Sequence, residues 1–472
     1  SGGGKEEEDA PGAAMSMAMG AAADAVVELD DEGLSLSYII HRLKGLYFTA
    51  TKASVLEALL QLSINPNLGQ PTQLRMTINR PRAAKAREDP ASDPDGVRSI
   101  FGQLFTSLRA GGYRDFARAG KDWQAWAVDF AGEGSIDVGG PYRESLTMAC
   151  ADLMSNATPL FLHCPNFHTN TGLNREKFVI NPAATSPLAM AMYECVGALM
   201  GLALRTKFTL PLDLPSTVWK QVLGDEMTER DLEDVDKLCV QALQGLRMLP
   251  AEEIVEAHQT FTTQLTGGNE VELVDGGAER QVTPDDVETF CRLVVEARLG
   301  EGARQARAIR KGFNTVVPLG MLSLFSWREV ELLVCGDPNI DVERLRAHAT
   351  YRGGLSKSSP TVKNLFRALE SFTSEERQLF LRFVWGRNRL PSSDADWTQA
   401  FVINPLAPAG GERSETKMDD MLPAAHTCFF QFDLPAYSTY DILRSKVLYA
   451  CYHCQAIDTD FTANETSGAA FL

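Results

Sequence analysis

The stretch YRGGLSKSSP, residues 351–360, separates two helix-rich regions with glycine, serine and proline. Residues of this kind favour a flexible connection, so we expect a hinge over residues 353–360. The chain has 472 residues, which exceeds the length at which one hydrophobic core keeps growing. We therefore expect at least two bodies, the second being a compact unit of about 115 residues after the hinge.

The charge of the chain argues against several classes of partner. The formal net charge is -17 at pH 7, which opposes the large cationic surface that nucleic acid or an anionic membrane requires. No run approaches the roughly 18–20 apolar residues that span a bilayer, so we expect no membrane insertion. Nine cysteines without regular spacing are typical of reduced intracellular thiols, so we expect a cytoplasmic or nuclear protein.

The start of the chain differs in composition from the rest. Residues 1–33 combine glycine, alanine, methionine and acidic residues with little periodic apolar content, which predicts a disordered tail or linker. The first residues, SGGGKEEEDAPGAA, are acidic where a secretory signal is basic, and we expect no such signal. From the abrupt SGGG start we also expect a cut, with this chain as the end of something larger.

Three stretches predict particular elements. Residues 187–205, PLAMAMYECVGALMGLALR, predict a strongly apolar helix, and KFVINP at residues 177–182 predicts a short extended segment. Residues 269–283, NEVELVDGGAERQVT, predict a hairpin of two strands about a Gly-Gly turn.

Most cysteines have an ordinary structural explanation. Cys195, Cys239 and Cys335 lie within apolar helical patterns and are expected to be small core residues. HCPNFH at residues 163–168 and CYHC at residues 451–454 each offer three metal ligands without a matched partner pair, so we expect no metal site. Both cysteines of CYHC lie on the apolar stripe of a predicted helix, which argues against a redox motif.

Cys428 lies in LPAAHTCFFQF, residues 422–432. If a strand ran through TCFFQF, Cys428 would share a face with Phe430 and Phe432 and would be buried. Alternatively, it lies at the mouth of a strand, held by the phenylalanines behind it, with its sulfur open to solvent. In locally extended backbone His426 would point to the same side as Cys428 and would favour the thiolate. The residues alone leave both interpretations open.

The order of several motifs resembles the HECT domain of HECT-type ubiquitin ligases. The stretch LPAAHTCFFQFDLPAYST is similar to the family's active-cysteine signature and the strand-to-helix turn after it. FVWGRNRLP resembles the stretch that opens the catalytic lobe's sheet, and DVGGPYRES resembles the family's Gly-Gly-x-x-Arg-Glu element. FVINP, YECVGALMGLALRTKFTLPLDL and WREVELLVCG resemble further N-lobe elements, in order over more than 400 residues. TCFFQ and AIDTDF are most similar to the large HERC branch.

The resemblance implies an α+β, bilobal, L-shaped fold. A mainly helical N-lobe would cover residues 34–352, and a small α/β C-lobe with the catalytic cysteine would cover residues 361–472. A small subdomain, about residues 214–290, would bind the ubiquitin-conjugating enzyme that carries ubiquitin.

The resemblance also implies the platform for this partner. By position, the side chains of Leu243, Leu246 and Phe290 look like its apolar surface, although they also fit the core of the small subdomain.

The resemblance implies an E3 ubiquitin ligase without metal or cofactor. Cys428 would accept ubiquitin as a glycyl thioester and pass it to a lysine of a protein substrate. His426 and Thr427 are expected to orient or polarise the site. Arg143 and Glu144 are expected to form an internal ion pair or hydrogen bonds that hold the N-lobe.

One position departs from the family pattern. Many members carry a phenylalanine four residues from the C-terminus that assists lysine transfer, but here Ala469 stands there and Phe471 is second from the end. Phe471 is therefore the candidate for this role. Two other functions remain open: a cysteine peptidase that uses Cys428 with a distant histidine, and a non-catalytic module that docks ubiquitin or a conjugating enzyme.

Overall fold

The computed structural model describes residues 44–64, 73–133, 140–387, 389–391, 393–397, 399–407 and 415–453. The side chains of residues 395, 415–417 and 428 also lie outside this description. The predicted tail over residues 1–33 and the candidate Phe471 are thus outside the described residues.

The first part of the chain is mainly helical. Its helices α1–α13 are, in order, Thr49–Leu62, Arg80–Glu88, Ile100–Arg109, Gly140–Leu153, Pro165–Thr169, Pro187–Thr206, Ser216–Leu223, Glu229–Glu233, Lys237–Met248, Ala251–Glu256, Val287–Gly300, Ala303–Val316 and Trp327–Cys335. Its strands β1–β6 are Leu74–Ile78, Trp126–Phe130, Phe161–His163, Phe178–Ile180, Thr262–Gln264 and Glu270–Glu272. They form three two-stranded sheets, of which β1–β2 is parallel and the other two, β3–β4 and β5–β6, are antiparallel.

The remainder of the chain is an α/β unit. Its helices α14–α18 are Val342–Ala347, Pro360–Ser371, Ser374–Trp385, Glu415–Asp420 and Tyr440–His453, and its strands β7–β10 are Ala349–Tyr351, Phe401–Leu406, Ala424–His426 and Gln431–Pro435. The four strands form one sheet in the order β7-β8-β10-β9. The expected α+β class is thereby confirmed.

The core of the first part is built on the crossing of α6 and α12. The two helices approach so closely that a Cβ on Gly197 would lie 1.8 Å from the carbonyl oxygen of Ile309. A Cβ on Gly312 would likewise lie 1.8 Å from the carbonyl oxygen of Glu194. Only glycine fits at these two positions, and the backbone contact fixes how the two helices pack.

The predicted apolar helix is confirmed as α6, Pro187–Thr206. Its length corrects the expectation that no run in this chain approaches the length that spans a bilayer. Among the helices of the described part it alone is long and apolar enough to cross a bilayer, with a mean hydropathy of 1.5. However, 72% of its apolar window is buried inside the protein. A helix that is hydrophobic all round is also what the centre of a large core requires.

The second core lies between the four-stranded sheet and the helices of the α/β unit. Leu365, Leu369 and Phe372 are buried together on one face of α15 and its end. Thr373 and Glu376 form a capping box at the start of α16.

The chain passes from the first core to the second earlier than we expected. Ile340 and Leu345 belong to the second core, and β7, Ala349–Tyr351, pairs with β8 in its sheet. The hinge expected over residues 353–360 therefore lies inside the second unit. Gly353, with φ of 59°, and Gly354, with φ of 83°, form the turn that leads from β7 toward α15. The connection between the two cores is Gly336–Asn339.

A second segment of the α/β unit returns to the first part of the chain. The Thr147 hydroxyl donates a hydrogen bond of 3.0 Å to the carbonyl oxygen of Gly386. Leu390 pairs with Asp337 as an isolated bridge, and the Arg389 guanidinium lies 2.8 Å from the Asp213 carboxylate. FVWGRNRLP thus ends α16 and crosses to the first part instead of opening the sheet.

The predicted hairpin has a different turn. β5, Thr262–Gln264, pairs with β6, Glu270–Glu272, and the turn between them contains Gly267 and Gly268 with φ of 100° and 87°. The prediction of two strands about Gly276 and Gly277 was wrong, because an equivalent glycine pair nine residues earlier makes the hairpin turn.

Candidate functional site

The candidate site lies on the turn that joins β9 to β10. The two strands are antiparallel, with His426 opposite Gln431. Between them, Thr427–Phe429 form one 3-10 turn, and Phe430 follows in the left-handed conformation with φ of 48° and ψ of 47°. Cys428 is the middle residue of this turn. A strand through TCFFQF is therefore ruled out, and Cys428 lies before the strand, as the second interpretation expected.

The phenylalanines around Cys428 hold the turn in place. Phe430 is fully buried, and its ring stacks on that of Trp385 with centroids 4.0 Å apart. Phe432 is also buried and meets the ring of Phe380 edge to face. Phe429 points the other way and is 47% exposed. Two aromatic anchors thus fix the backbone directly after Cys428, because buried rings in a packed core have little freedom.

His426 is oriented by a carboxylate on the neighbouring strand. Its Nε2 lies 3.0 Å from Oδ2 of Asp433. The other oxygen of Asp433 accepts hydrogen bonds from the side chains of Asn404 and Gln431. The extended backbone from which we expected His426 and Cys428 to share a side is replaced by the 3-10 turn. The supporting roles of His426 and Thr427 stay predictions.

Asp433 is the site residue that sequence reasoning missed. It lies seven positions after His426, and only the pairing of β9 with β10 brings the two together. No local pattern signals this pair, because the turn residues Thr427–Phe429 are mostly apolar and the pairing of β9 with β10 depends on tertiary packing.

The turn also packs against the first, mainly helical part of the chain. Thr427–Phe429 contact α4, Gly140–Leu153, which carries the Arg-Glu pair of the DVGGPYRES motif. Glu144 does not pair with Arg143 but with Arg80, whose Nη2 lies 2.6 Å from Oε1. The expected internal ion pair of Glu144 thus forms with Arg80 and not with Arg143, because neighbouring residues of a helix point in different directions. Burial raises the pKa of Glu144 to about 7, although Arg80 opposes this rise.

Arg387 is a buried cation beside these elements. Its Cζ lies 4.6 Å from the ring centroid of Trp385 and 5.8 Å from that of Phe208. Burial lowers the pKa of Arg387 to about 9, and the nearby Arg143 cation contributes to the decrease. Trp385 thus connects this cation to Phe430, two residues beyond Cys428.

The other described cysteines are unsuited to nucleophilic chemistry. Six of them are buried and Cys239 is partly buried. Burial raises the pKa of the Cys195 and Cys335 thiols to about 12 and that of Cys239 to about 11, so these thiols carry almost no thiolate at neutral pH. The expected core role of these three cysteines is confirmed by their packing against the apolar clusters.

The two cysteine–histidine motifs show no metal geometry in the described residues. No group of three or more His, Cys, Asp or Glu side chains there could hold a metal ion. In HCPNFH the His163 ring stacks on Phe167, and the Cys164 thiol donates to the carbonyl oxygen of Asn174 at 3.1 Å. Cys451 lies buried on the apolar stripe of α18, while Cys454 is outside the described residues.

The residues predicted as a partner platform are mostly inside the small subdomain. Leu243 and Phe290 are each only 5% exposed and form part of its core, and Leu246 packs against that core. The structure therefore favours the core interpretation. Larger apolar surface lies close by on α9, α10 and the link between them, where Leu238, Met248, Leu249 and Val255 are 44%, 84%, 37% and 53% exposed.

Comparisons with known proteins agree on one family. The family model described as HECT-domain (ubiquitin-transferase) matches residues 147–459, more than half of the chain. Human E3 ubiquitin-protein ligase HERC2 is 34% identical over 438 residues, which cover 92% of this chain and 9% of that protein. This relative confirms the expected likeness to the HERC branch.

More distant relatives show the same pattern. Human probable E3 ubiquitin-protein ligase HECTD4 is 26% identical over 89% of this chain and 11% of its own length. E3 ubiquitin-protein ligase TOM1 of Saccharomyces cerevisiae is 27% identical over 68% of this chain and 10% of its own length. The chain thus spans about a tenth of the length of the curated relatives it matches. By the family match and the identity to HERC2, it belongs to the HECT-domain ubiquitin transferases.

Proposed function

We propose that this chain is the catalytic domain of a HECT-type E3 ubiquitin ligase, in which Cys428 carries ubiquitin as a glycyl thioester. The observation that carries the proposal is the position of Cys428 at the centre of the β9–β10 turn, within the family-matched residues. The raised thiol pKa values of Cys195 and Cys335 support the choice of Cys428 over these buried cysteines, because a thiolate is needed for attack.

The first step exchanges one thioester for another. The Cys428 thiolate attacks the carbonyl carbon of the ubiquitin C-terminus, a new C–S bond forms, and the bond to the conjugating enzyme's sulfur breaks. The conjugating enzyme leaves as its thiolate. Since the two thioesters have similar energy, the protein mainly has to bring the sulfurs together, and proximity can contribute roughly 7–11 kcal/mol. A fixed turn such as Thr427–Phe429 suits this task.

The second step forms an amide. The amine of a substrate lysine attacks the thioester carbonyl, the C–N bond forms, and Cys428 leaves as thiolate while the amine loses a proton. We expect the imidazole of His426 to receive this proton, since Asp433 accepts from its other edge at 3.0 Å. Asp433 then acts as a positioning residue that fixes the ring.

The small subdomain offers a surface for the conjugating enzyme. The exposed side chains of Met248, Leu249 and Val255 lie together where α9 ends and α10 begins. An exposed apolar patch with a polar rim is typical of a protein interface. We propose that the conjugating enzyme docks here, with Leu243 and Phe290 supporting the surface from beneath.

Ubiquitin transfer can be tested directly. The chain is incubated with ubiquitin, activating enzyme, a conjugating enzyme and ATP, and the products are separated without reductant. We expect an adduct that thiol reagents cleave. Cys428→Ser should give a thiol-resistant ester or no adduct, and Cys428→Ala should give none. Cys451→Ala, in the same unit, is the control and should retain the adduct.

The same experiment separates the other candidate functions. A docking module would give identical ubiquitin output with Cys428→Ala. A peptidase would cleave ubiquitin conjugates without forming new ones on lysine. Either result would refute the ligase proposal.

We propose a reducing compartment, the cytoplasm or the nucleus, as the location. The seven described cysteines are all free thiols, which supports this proposal. Fluorescence imaging of the tagged full-length protein tests it, and a secretory pattern would contradict it.

A further inference from the structure

Helix α2, Arg80–Glu88, carries an unusual density of positive charge for an acidic chain. Its sequence RPRAAKARE contains four basic residues and one acidic residue, while the whole chain has a net charge of -17. Two of the four cations are paired with carboxylates of the protein. Arg80 binds Glu144 at 2.6 Å, and Arg87 binds Asp152 at 2.5 Å. The charge of these two cations is therefore neutralised within the protein.

The outward cations have no such partners. Arg82, Lys85 and the nearby Arg98 are exposed and line an open depression of about 490 Å³, together with Asn79 and Pro81. No ion pair or side-chain hydrogen bond joins any of these three cations to another residue of the described part. Three cations thus surround one depression, and none of them forms an ion pair with a carboxylate of the described residues.

The backbone frame of the depression is fixed. The Gln103 side chain accepts from the amide of Asn79 at 2.8 Å and donates to the carbonyl oxygens of Asn79 and Arg98. The Asp93 carboxylate accepts from the amide of Arg98 at 2.7 Å. The Asn79 side chain caps the amide of Arg82 at 2.8 Å, so the depression offers side-chain cations and not free helix amides. A frame held in this way keeps the spacing of the cations.

The depression is close to the candidate site in the fold. Helix α2 is joined by its two ion pairs to α4, and the Cys428 turn packs on α4 as well. Because α4 has 14 residues, its length is about 21 Å. A ligand in the depression is therefore within roughly 20–30 Å of Cys428, which about eight extended residues can span.

We propose that this basic depression binds an acidic segment of the protein substrate and holds a neighbouring lysine within reach of Cys428. The inference rests on the proposed ligase function and adds a substrate class to it. Carboxylate or phosphate groups on a peptide would supply the missing partners of Arg82, Lys85 and Arg98. Nucleic acid is a poorer ligand, because the depression offers only three cations for phosphate contacts and the chain as a whole carries a net charge of -17.

The test uses the full chain loaded with ubiquitin and three short peptides. Each peptide has one lysine, a linker of about ten residues and a tail of glutamates, of phosphoserines, or of glutamines as the neutral reference. The variant carries Arg82→Glu, Lys85→Glu and Arg98→Glu. The control carries Arg304→Glu, Arg307→Glu and Lys311→Glu, which reverse the same number of exposed cations on one face of α12.

We expect wild type and control to modify the acidic-tailed peptides about tenfold more efficiently than the glutamine peptide, with the difference in KM. The depression variant should lose this preference while its thioester on Cys428 forms at the normal rate. Comparing the glutamate tail with the phosphoserine tail shows whether the depression prefers carboxylate or phosphate groups.

Three results would overturn the inference. One is equal loss of the preference in variant and control, since that would show a general charge effect. Another is the absence of any preference in the wild-type chain when the thioester forms normally. The third is a single-stranded oligonucleotide that displaces the acidic peptide and binds more tightly through the same three cations. Failure to form the thioester would instead refute the ligase proposal itself.

Discussion

Phe430 combines two properties that a substitution pair can separate. Its side chain is fully buried between the rings of Trp385 and Phe401, with centroids 4.0 Å and 4.9 Å away. Its backbone is left-handed, with φ of 48°, a conformation that L-residues other than glycine rarely adopt. Phe430→Ala removes the ring and keeps the strained backbone. Phe430→Gly removes the same ring and relieves the strain.

The expected magnitudes follow from these two properties. Loss of a buried phenylalanine ring costs about 3–5 kcal/mol in the free energy of unfolding. A left-handed conformation costs a non-glycine residue about 1–2 kcal/mol, whereas glycine loses about 0.5–1 kcal/mol through its more flexible unfolded state. Phe430→Gly should therefore be more stable than Phe430→Ala by about 0.5–1 kcal/mol. At a position with ordinary extended backbone, the alanine variant would instead be more stable than the glycine variant.

Urea unfolding followed by tryptophan fluorescence measures the difference, because Trp385 lies against the substituted ring. The rate of thioester formation on Cys428 is the second readout. We expect both variants to slow this rate even where they are folded, since the turn loses its anchor. Phe372→Ala is the control, because it removes a buried ring of the same core away from the turn.

Two results would refute this reasoning. If Phe430→Gly were less stable than Phe430→Ala, the left-handed backbone would contribute no strain. If Phe372→Ala slowed thioester formation as much as the Phe430 variants, the effect would be one of general stability and not of turn position.

Three further predictions concern the N-terminal body. Glu329→Gln should lower stability at pH 7 by about 2–3 kcal/mol, because it removes the charge partner of the buried Lys52 at 2.8 Å. Burial raises the pKa of Glu329, but hydrogen bonds, led by the one from Lys52, lower it more, so the pKa lies below 4.5. The stability difference between variant and wild type, measured by urea titration, should therefore shrink as the pH falls below about 4.5. Gly197→Ala should destabilise by at least about 2 kcal/mol in the same assay through overpacking, whereas Gly245→Ala on an open helix surface should be neutral or stabilising. Asn166→Ala should increase hydrogen exchange in α9, because the buried Asn166 side chain accepts from the first amide of that helix at 2.8 Å.

Local signals in the sequence predicted the elements that depend on near neighbours. The apolar helix α6 and the extended segment at Phe178–Ile180 both formed as expected. Each is decided within a few residues, by side-chain periodicity.

The predictions that failed depend on distant partners. Residues 349–351 joined the second sheet because β8, fifty residues later, offers a strand edge. The turn around Cys428 was set by the burial of Phe430 against Trp385, which no local pattern contains. Leu243 and Phe290 were assigned to a surface by position, but only tertiary packing decides which face of a helix a neighbour covers.

The two crossings between the bodies limit how the Cys428-bearing unit can move. Gly336–Asn339 and Gly386–Leu390 lie side by side, since the backbone of Asp337 is hydrogen-bonded to that of Leu390 in both directions. Because these two segments lie at one edge, we expect a swinging motion about an axis through that edge, which releases the contact of the Cys428 turn with α4. Translation and free tumbling would break the Arg389 contacts, whereas such a swing would keep them and change the distance between Cys428 and α4. Cys428 carrying ubiquitin would then move along one reproducible path between the conjugating enzyme and the substrate lysine.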